Sequence, residues 1–496
     1  MIDSGAKRTN FIMPIILYFI FQIPYLTKVP TIMVDEPWYS NTAYNFINGE
    51  GFINTVPGSE GGDLLFLFPF IVGIFFKVFG TSLITGKIVS IIGGFISLFG
   101  FLSILKELQI KNKIILSVSS LIFIFSNVNY VVFRTVRPES WVVCFGIWSI
   151  YFLLRCFKSN RLYYYSICGL LSGLSFLTHP HGLFFIFLIG ILIMKRSFNK
   201  NDFKIIISFL SGLFLALVPL FYVIYFIRGE DIFQFFKIFF DSSSSGNPEI
   251  IIINNLLNFF NDYTLGAKRI FILFIEIGVI IFGLYFYNKD KRIFIFSFMG
   301  LLYFSLFIIS PAYGSRHFGQ VLIFSFILIP IILDHYKSNI RVFRVLNFLL
   351  VIYLINNIAG DSYLIWRNYN NTSYSTLSEK IDKIIPNETN VLTLLNFWFP
   401  LKDNNNFNDY TRWRFTNYEN LDLFLESGEV DYAVISDYLT EGKTSTSNRN
   451  IAVVKRNNNK IFYDKIHSYA KQNGKLLEKI NTNGYSDIEI WKLNKK

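Results

Sequence analysis

Charge and cysteine are both scarce in this chain. Only 16% of its 496 residues are Asp, Glu, Lys or Arg, against 52% hydrophobic and 19% aromatic, which excludes an ordinary soluble domain. The three cysteines, Cys144, Cys156 and Cys168, lie in apolar stretches without CxxC or Cys/His ligand spacing, which excludes a disulfide framework and a cysteine zinc site. Gly-rich nucleotide loops, internal repeats and long low-complexity tracts are missing as well. The net charge of +12 does not point to nucleic acid, because Lys and Arg sit in short clusters between apolar runs, as in cytoplasmic loops.

What is present is a series of hydrophobic runs long enough to cross a bilayer, which takes about 17 to 25 residues. Eleven spans are read: 10–27, 83–105, 113–131, 138–157, 162–178, 181–195, 204–227, 269–287, 292–310, 317–335 and 342–359. Lys7 and Arg8 precede the first, and no small-x-small cleavage site follows it, so it is read as a retained helix. The apolar run Leu64 to Gly80 carries Pro69 and Gly73 and is read as a surface helix that does not cross. With that choice the clusters Lys7/Arg8, Lys106 to Lys113, Arg155/Lys158/Arg161, Lys195/Arg196/Lys200, Lys289/Lys291/Arg292 and Lys337/Arg341/Arg344 all face the cytoplasm.

The other polar motifs then fall together outside: Asp35/Glu36, Arg134 to Glu139, Thr178 to His181, the loop Arg228 to Lys268, and Tyr313 to His317. Beyond about residue 360 the chain turns polar. Short apolar runs such as Asn390 to Leu395 and Val430 to Ser436 alternate there with helical patterns at Ser378 to Ile385 and Asn420 to Ser427. The expectation is an all-α polytopic membrane domain over 1–360, with a first external loop at 28–82 and a large one at 228–268. A small soluble α/β domain over 361–496 follows, also outside.

The stretch MVDEPWYSNTAYNFINGEGF, the run ending FKVFG, the segment TGKIVSIIGGF, then FRTVRPES and LTHPHG together resemble the GT-C membrane glycosyltransferases. The likeness is to the branch of the protein O-mannosyltransferases, aminoarabinose transferases and Rgt-type lipopolysaccharide glycosyltransferases, over roughly residues 10 to 230. It implies an acidic catalytic base in the first external loop, surface helices between the first two spans, and a polyprenyl-phosphate sugar donor. The partners expected are that donor, a lipid, glycan or protein acceptor, and membrane lipids. The setting expected is a bacterial or archaeal plasma membrane.

Such a transfer needs a base for the acceptor proton and cations for the departing phosphate, but no carboxylic acid for the leaving group. Asp35 is the candidate base with Glu36 second, and direct displacement by one base implies inversion. The alternative is that the pair caps a helix starting at Pro37, and the two roles can fall to different members of the pair. Tyr39, beside Trp38, could stack on a sugar or belong to an interfacial aromatic belt. Arg134 and Arg137 could grip the phosphate, with Glu139 holding the fork, or could snorkel at a helix end. His179 and His181 stand where similar enzymes carry an Arg-Pro element, and Arg316 and His317 open the tenth span. Each could line a cationic donor pocket or mark a boundary. A His-x-His pair around Pro180 is as readily a helix-start turn as part of a zinc or manganese site, so no metal ligand set and no cofactor are assigned. A glycan flippase or other transporter is the alternative. It would place charges near the bilayer midplane, where here only Lys87 and Glu276 interrupt the spans.

Overall fold

The computed structural model describes residues 12–56, 65–227, 248–260, 270–310, 317–404, 406–410, 418–438 and 449–494. Its first part is helical throughout. Helices α1 (Ile12–Gln22), α2 (Asp35–Ile47), α3 (Leu67–Phe79), α4 (Leu83–Glu107), α5 (Lys113–Ile124), α6 (Asn127–Val132) and α7 (Glu139–Ser159) are followed by α8 (Leu162–Thr178), α9 (Leu183–Lys200) and α10 (Lys204–Tyr222). Then come α11 (Pro248–Phe260), α12 (Ile270–Gly283), α13 (Lys291–Ile309), α14 (Phe318–Tyr336) and α15 (Ile340–Asn368).

Among the described residues, seven helical segments are long and apolar enough to cross a membrane: 83–107, 139–159, 180–200, 204–225, 291–309, 318–336 and 340–368. The remaining four sequence-read spans hold shorter apolar helices, at 12–22, 113–124, 162–178 and 272–286. The span read over 113–131 is not one helix. It breaks between α5 and α6, where the Asn127 side chain turns to the Asn357 carbonyl and to Asp361, and Asn129 donates to the Phe123 carbonyl at 2.9 Å. α3, the run read as non-crossing, has 13 residues. At about 1.5 Å per residue that is roughly 20 Å, short of a bilayer core. It lies on α2, with Phe68, Val72 and Phe76 buried and Ile74, Val78 and Phe79 facing out.

Two packing features set the bundle. α14 is buried on every side from Phe318 to Leu333, the pattern of a helix running through a core. α8 and α10 meet at their small residues, so that a Cβ on Gly169 would strike the Phe209 carbonyl and one on Gly212 the Ser166 carbonyl. Small residues permit such backbone approach where lipid offers helices no hydrophobic drive to associate.

The helix read as ending at 359 runs on to Asn368, and the soluble domain follows it. It contains α16 (Tyr374–Ile384), β1 (Asn390–Thr393), β2 (Asn406–Asp409), α17 (Tyr418–Glu426), β3 (Tyr432–Ser436), α18 (Arg449–Asn473), β4 (Gly474–Ile480) and β5 (Ile488–Leu493). The sheet order is β2-β1-β3-β5-β4, with β2, β1 and β3 parallel and β5 antiparallel to both β3 and β4. Its core is continuous with the first polar loop, since Ile32, Val56 and Phe68 share one buried cluster with Tyr374, Trp398 and Val434. Asn396 donates to the Ile32 carbonyl at 3.0 Å, and Tyr438 to the Thr31 hydroxyl at 3.3 Å.

Candidate functional site

Four sequence motifs converge where α2, α7, α9 and α14 begin. Asp35 and Glu36 form the first turn of α2, which starts two residues before Pro37 and has no side-chain cap bond. The carboxylates therefore face outward from the helix end, to different partners.

Glu36 is fully buried. Its Oε1 accepts the Met33 amide at 2.9 Å and its Oε2 the Val136 amide at 2.8 Å, so it stitches the α2 start to the turn before α7. Burial raises its carboxyl above the ordinary carboxylate range, against the opposing pull of Lys87, the two amides and Arg137. Asp35 keeps 30% of its side chain accessible and forms an ion pair with Arg137.

Arg137 is buried between two carboxylates. Its Nη2 donates to Glu139 Oε1 at 2.8 Å and its Nε to Glu139 Oε1 at 3.1 Å, while Nη1 reaches Asp35. Burial works against its charge, but Glu139 and Asp35 outweigh that and hold it above its ordinary pKa, so it is a permanent cation. Glu139, 2% exposed, also lies 3.5 Å from His317 Nδ1.

His317 leads to the other histidines. His179 ends α8 in extended backbone, and a single 3₁₀ turn over Pro180–Gly182 carries His181 into α9. That turn folds back tightly enough that a Cβ on Gly182 would strike the Ser175 carbonyl. The three rings lie together: centroids are 4.9 Å apart for His179 and His181, 4.7 Å for His179 and His317, and 4.2 Å for His181 and His317.

Of the sequence-derived candidates, Asp35, Arg137, Glu139, His179, His181 and His317 thus form one connected group. Glu36 borders it from the interior. Tyr39 lies one turn into α2 with its ring edge-on to Phe68, centroids 5.6 Å apart. Arg316 lies outside the described residues.

Arg134 departs from the expectation of a phosphate grip. It is fully buried, points away from the group, and gives its N–H donors to the carbonyls of Phe21, Gln22, Pro24 and Val29, with its guanidinium 4.5 Å over the Tyr130 ring. A guanidinium has five donors, and these bonds occupy them, so Arg134 clamps the turn after α1. Lys87 does related work nearby, donating to the Leu26 and Pro30 carbonyls at 3.0 Å each. Sequence reasoning did not find Ser310, whose hydroxyl lies 3.2 Å from His181 Nε2, or Tyr303, which donates to the His181 carbonyl at 3.2 Å. A serine and a tyrosine in an aromatic-rich chain carry no signal of their own.

The fold is that of the GT-C membrane glycosyltransferases, and the chain is an integral membrane protein. A family model described as dolichyl-phosphate-mannose-protein mannosyltransferase matches residues 65–234. The structure is similar to ArnT from Cupriavidus metallidurans bound to undecaprenyl phosphate, at TM-score 0.64 and 11% identity, covering 98% of each chain. It is also similar to the Archaeoglobus fulgidus oligosaccharyltransferase in complex with Zn and sulfate, at TM-score 0.53 and 13% identity, over 96% of this chain and 72% of that one. No curated protein matches it in sequence.

Proposed function

We propose that this protein moves one sugar from a polyprenyl-phosphate carrier to an acceptor hydroxyl on a lipid, glycan or protein, with inversion, at the extracytoplasmic face. The observation that carries the reading is the accessible Asp35 carboxylate, set against a buried, permanently charged Arg137 at the mouth of a GT-C bundle. The bound lipid in the ArnT structure, undecaprenyl phosphate, is of the class of the carrier that the proposed donor would release.

In the proposed reaction Asp35 accepts the proton of the acceptor hydroxyl as its oxygen bonds to the anomeric carbon. The bond from that carbon to the phosphate oxygen breaks, and its electron pair leaves with the phosphate. Arg137 stabilises that developing charge, which supplies what a carboxylic acid supplies in a glycosidase. With the donor bound, the phosphate competes with Asp35 for Arg137, which releases the carboxylate to act as base. Glu139 holds the guanidinium through Nε and Nη2 while Nη1 exchanges partners. The concentration of acids, Arg137 and histidines at one connected site also favours a transferase over a flippase, whose charges are expected near the midplane.

The test is sugar transfer by the purified full chain in detergent from radiolabelled polyprenyl-phosphate sugars, with glycolipid mass spectrometry of membranes with and without the protein to identify the product. Transfer that disappears in Asp35→Asn supports the reading. Binding of such donors without transfer from any of them overturns it.

A further inference from the structure

The sequence offers two histidines one residue apart; the fold adds a third from 136 positions further along. We infer that His179, His181 and His317 form a binding site for one divalent transition metal of the zinc class. One ring nitrogen from each lies within 4.8 Å of those offered by the other two. A tetrahedral zinc with bonds of about 2.0 to 2.1 Å spaces its nitrogen ligands roughly 3.3 Å apart. His179 Nδ1 and His181 Nδ1 already stand 3.1 Å apart, and small ring rotations gather the third.

Each ring can turn a nitrogen to the ion. His179 Nδ1 accepts the His181 amide at 3.3 Å, so it carries a lone pair, and this long bond is the one an ion replaces. His181 has Ser310 Oγ 3.2 Å from Nε2, which can take the proton there and leave Nδ1 for the ion. Glu139 Oε1 lies 3.5 Å from His317 Nδ1, an ion-pair contact close enough for a ring rotation to make the carboxylate–histidine hydrogen bond that orients a metal ligand through Nε2.

Two of the three imidazoles are buried. Neutral imidazole is the metal-binding form, and three of them select zinc-like ions over magnesium or calcium, which prefer oxygen ligands. Beside the trio lie the carboxylates of Asp35 and Glu139, which share Arg137. His179 is half-buried, which leaves a fourth position open to water. That an oxygen of the donor phosphate takes this position rests on the proposed transferase reading; the ion site itself does not.

The experiment uses the full chain, purified in detergent with a tag that contains no histidine, exposed to zinc or Co(II) and freed of excess metal by gel filtration. Elemental analysis is expected to find one ion per chain, and the Co(II) form to show the intense visible bands of a tetrahedral site. His181→Ala and His317→Ala should each lose the ion while eluting as the wild type. Should either fail to fold, His179→Ala at the rim serves instead. Glu139→Gln should weaken affinity about 10- to 100-fold, as removal of an outer-shell carboxylate does. A wild-type chain that retains no metal, or folded histidine variants that retain the full amount, overturn the inference. Because metal content is read without any sugar transfer, a chain that binds the ion but transfers nothing separates failure of the transferase reading from failure of this one.

Discussion

The two acids of the α2 start are adjacent in sequence and opposite in circumstance. Glu36 is sealed in and spends both oxygens on backbone amides, whereas Asp35 reaches accessible space beside Arg137. Asp35→Asn should therefore cost about 10²- to 10⁴-fold in transfer rate, the usual worth of a general base, in a chain that still elutes as the wild type. Glu36→Gln should do the reverse. Its amide group must turn an N–H toward one of two backbone N–H groups, and the buried mismatch is expected to cost about 1 to 3 kcal/mol, read as a lower melting temperature in detergent. Arg137→Lys cannot keep a two-donor grip on Glu139 while reaching Asp35 or a phosphate; kcat should fall roughly 10²- to 10³-fold, the scale for losing one preorganised donor. The sequence offered both Arg134 and Arg137 as phosphate grips, with Arg137 the stronger candidate. Which of them turns inward depended on the turn after α1, whose carbonyls needed donors.

At the scale of elements, periodicity and hydropathy locate helices well and their breaks poorly. The polar residues of the FSNVN stretch were the available sign that the chain is interrupted between α5 and α6, and the flanking apolar residues masked it. α3 was read as a surface helix from Pro69, Gly73 and the loop charges, and its 13 residues do not by themselves separate it from α1 and α5, which have 11 and 12. A reporter is expected to read external after Gly80 and cytoplasmic in the Lys106 to Lys113 loop; the opposite pair of readings would remove the orientation assumed for the site. α8 and α10 depend on Gly169 and Gly212 for contact. Gly169→Ala should lower stability by at least the 1 to 3 kcal/mol or so of an overpacked core, because the added carbon meets backbone rather than a flexible side chain; thermal unfolding in detergent checks it. If α8 moves, His179 and His181 move with it, so transfer should fall together with stability.

At the scale of the molecule, the soluble domain is part of the wall behind the site rather than an appendage. Asn396 satisfies the Ile32 carbonyl three residues before Asp35, in a core shared by both parts. Asn396→Ala leaves that buried carbonyl unpaired, which should cost about 1 to 3 kcal/mol and reduce transfer, measured on the same preparation. Composition and loop charge alone determined that this is a many-span membrane protein with a polar C-terminal domain, because water and lipid sort side chains by transfer free energy whatever their neighbours. The motif order was enough to suggest a GT-C bundle and to single out Asp35, Arg137, Glu139 and the His179–His181 turn as candidates. Only the tertiary structure decided which acid is accessible, sent Arg134 into the interior, and brought His317 against His179 and His181. Those outcomes depend on contacts between residues more than a hundred positions apart, and pair distances across a packed core are not encoded in any local pattern of the chain.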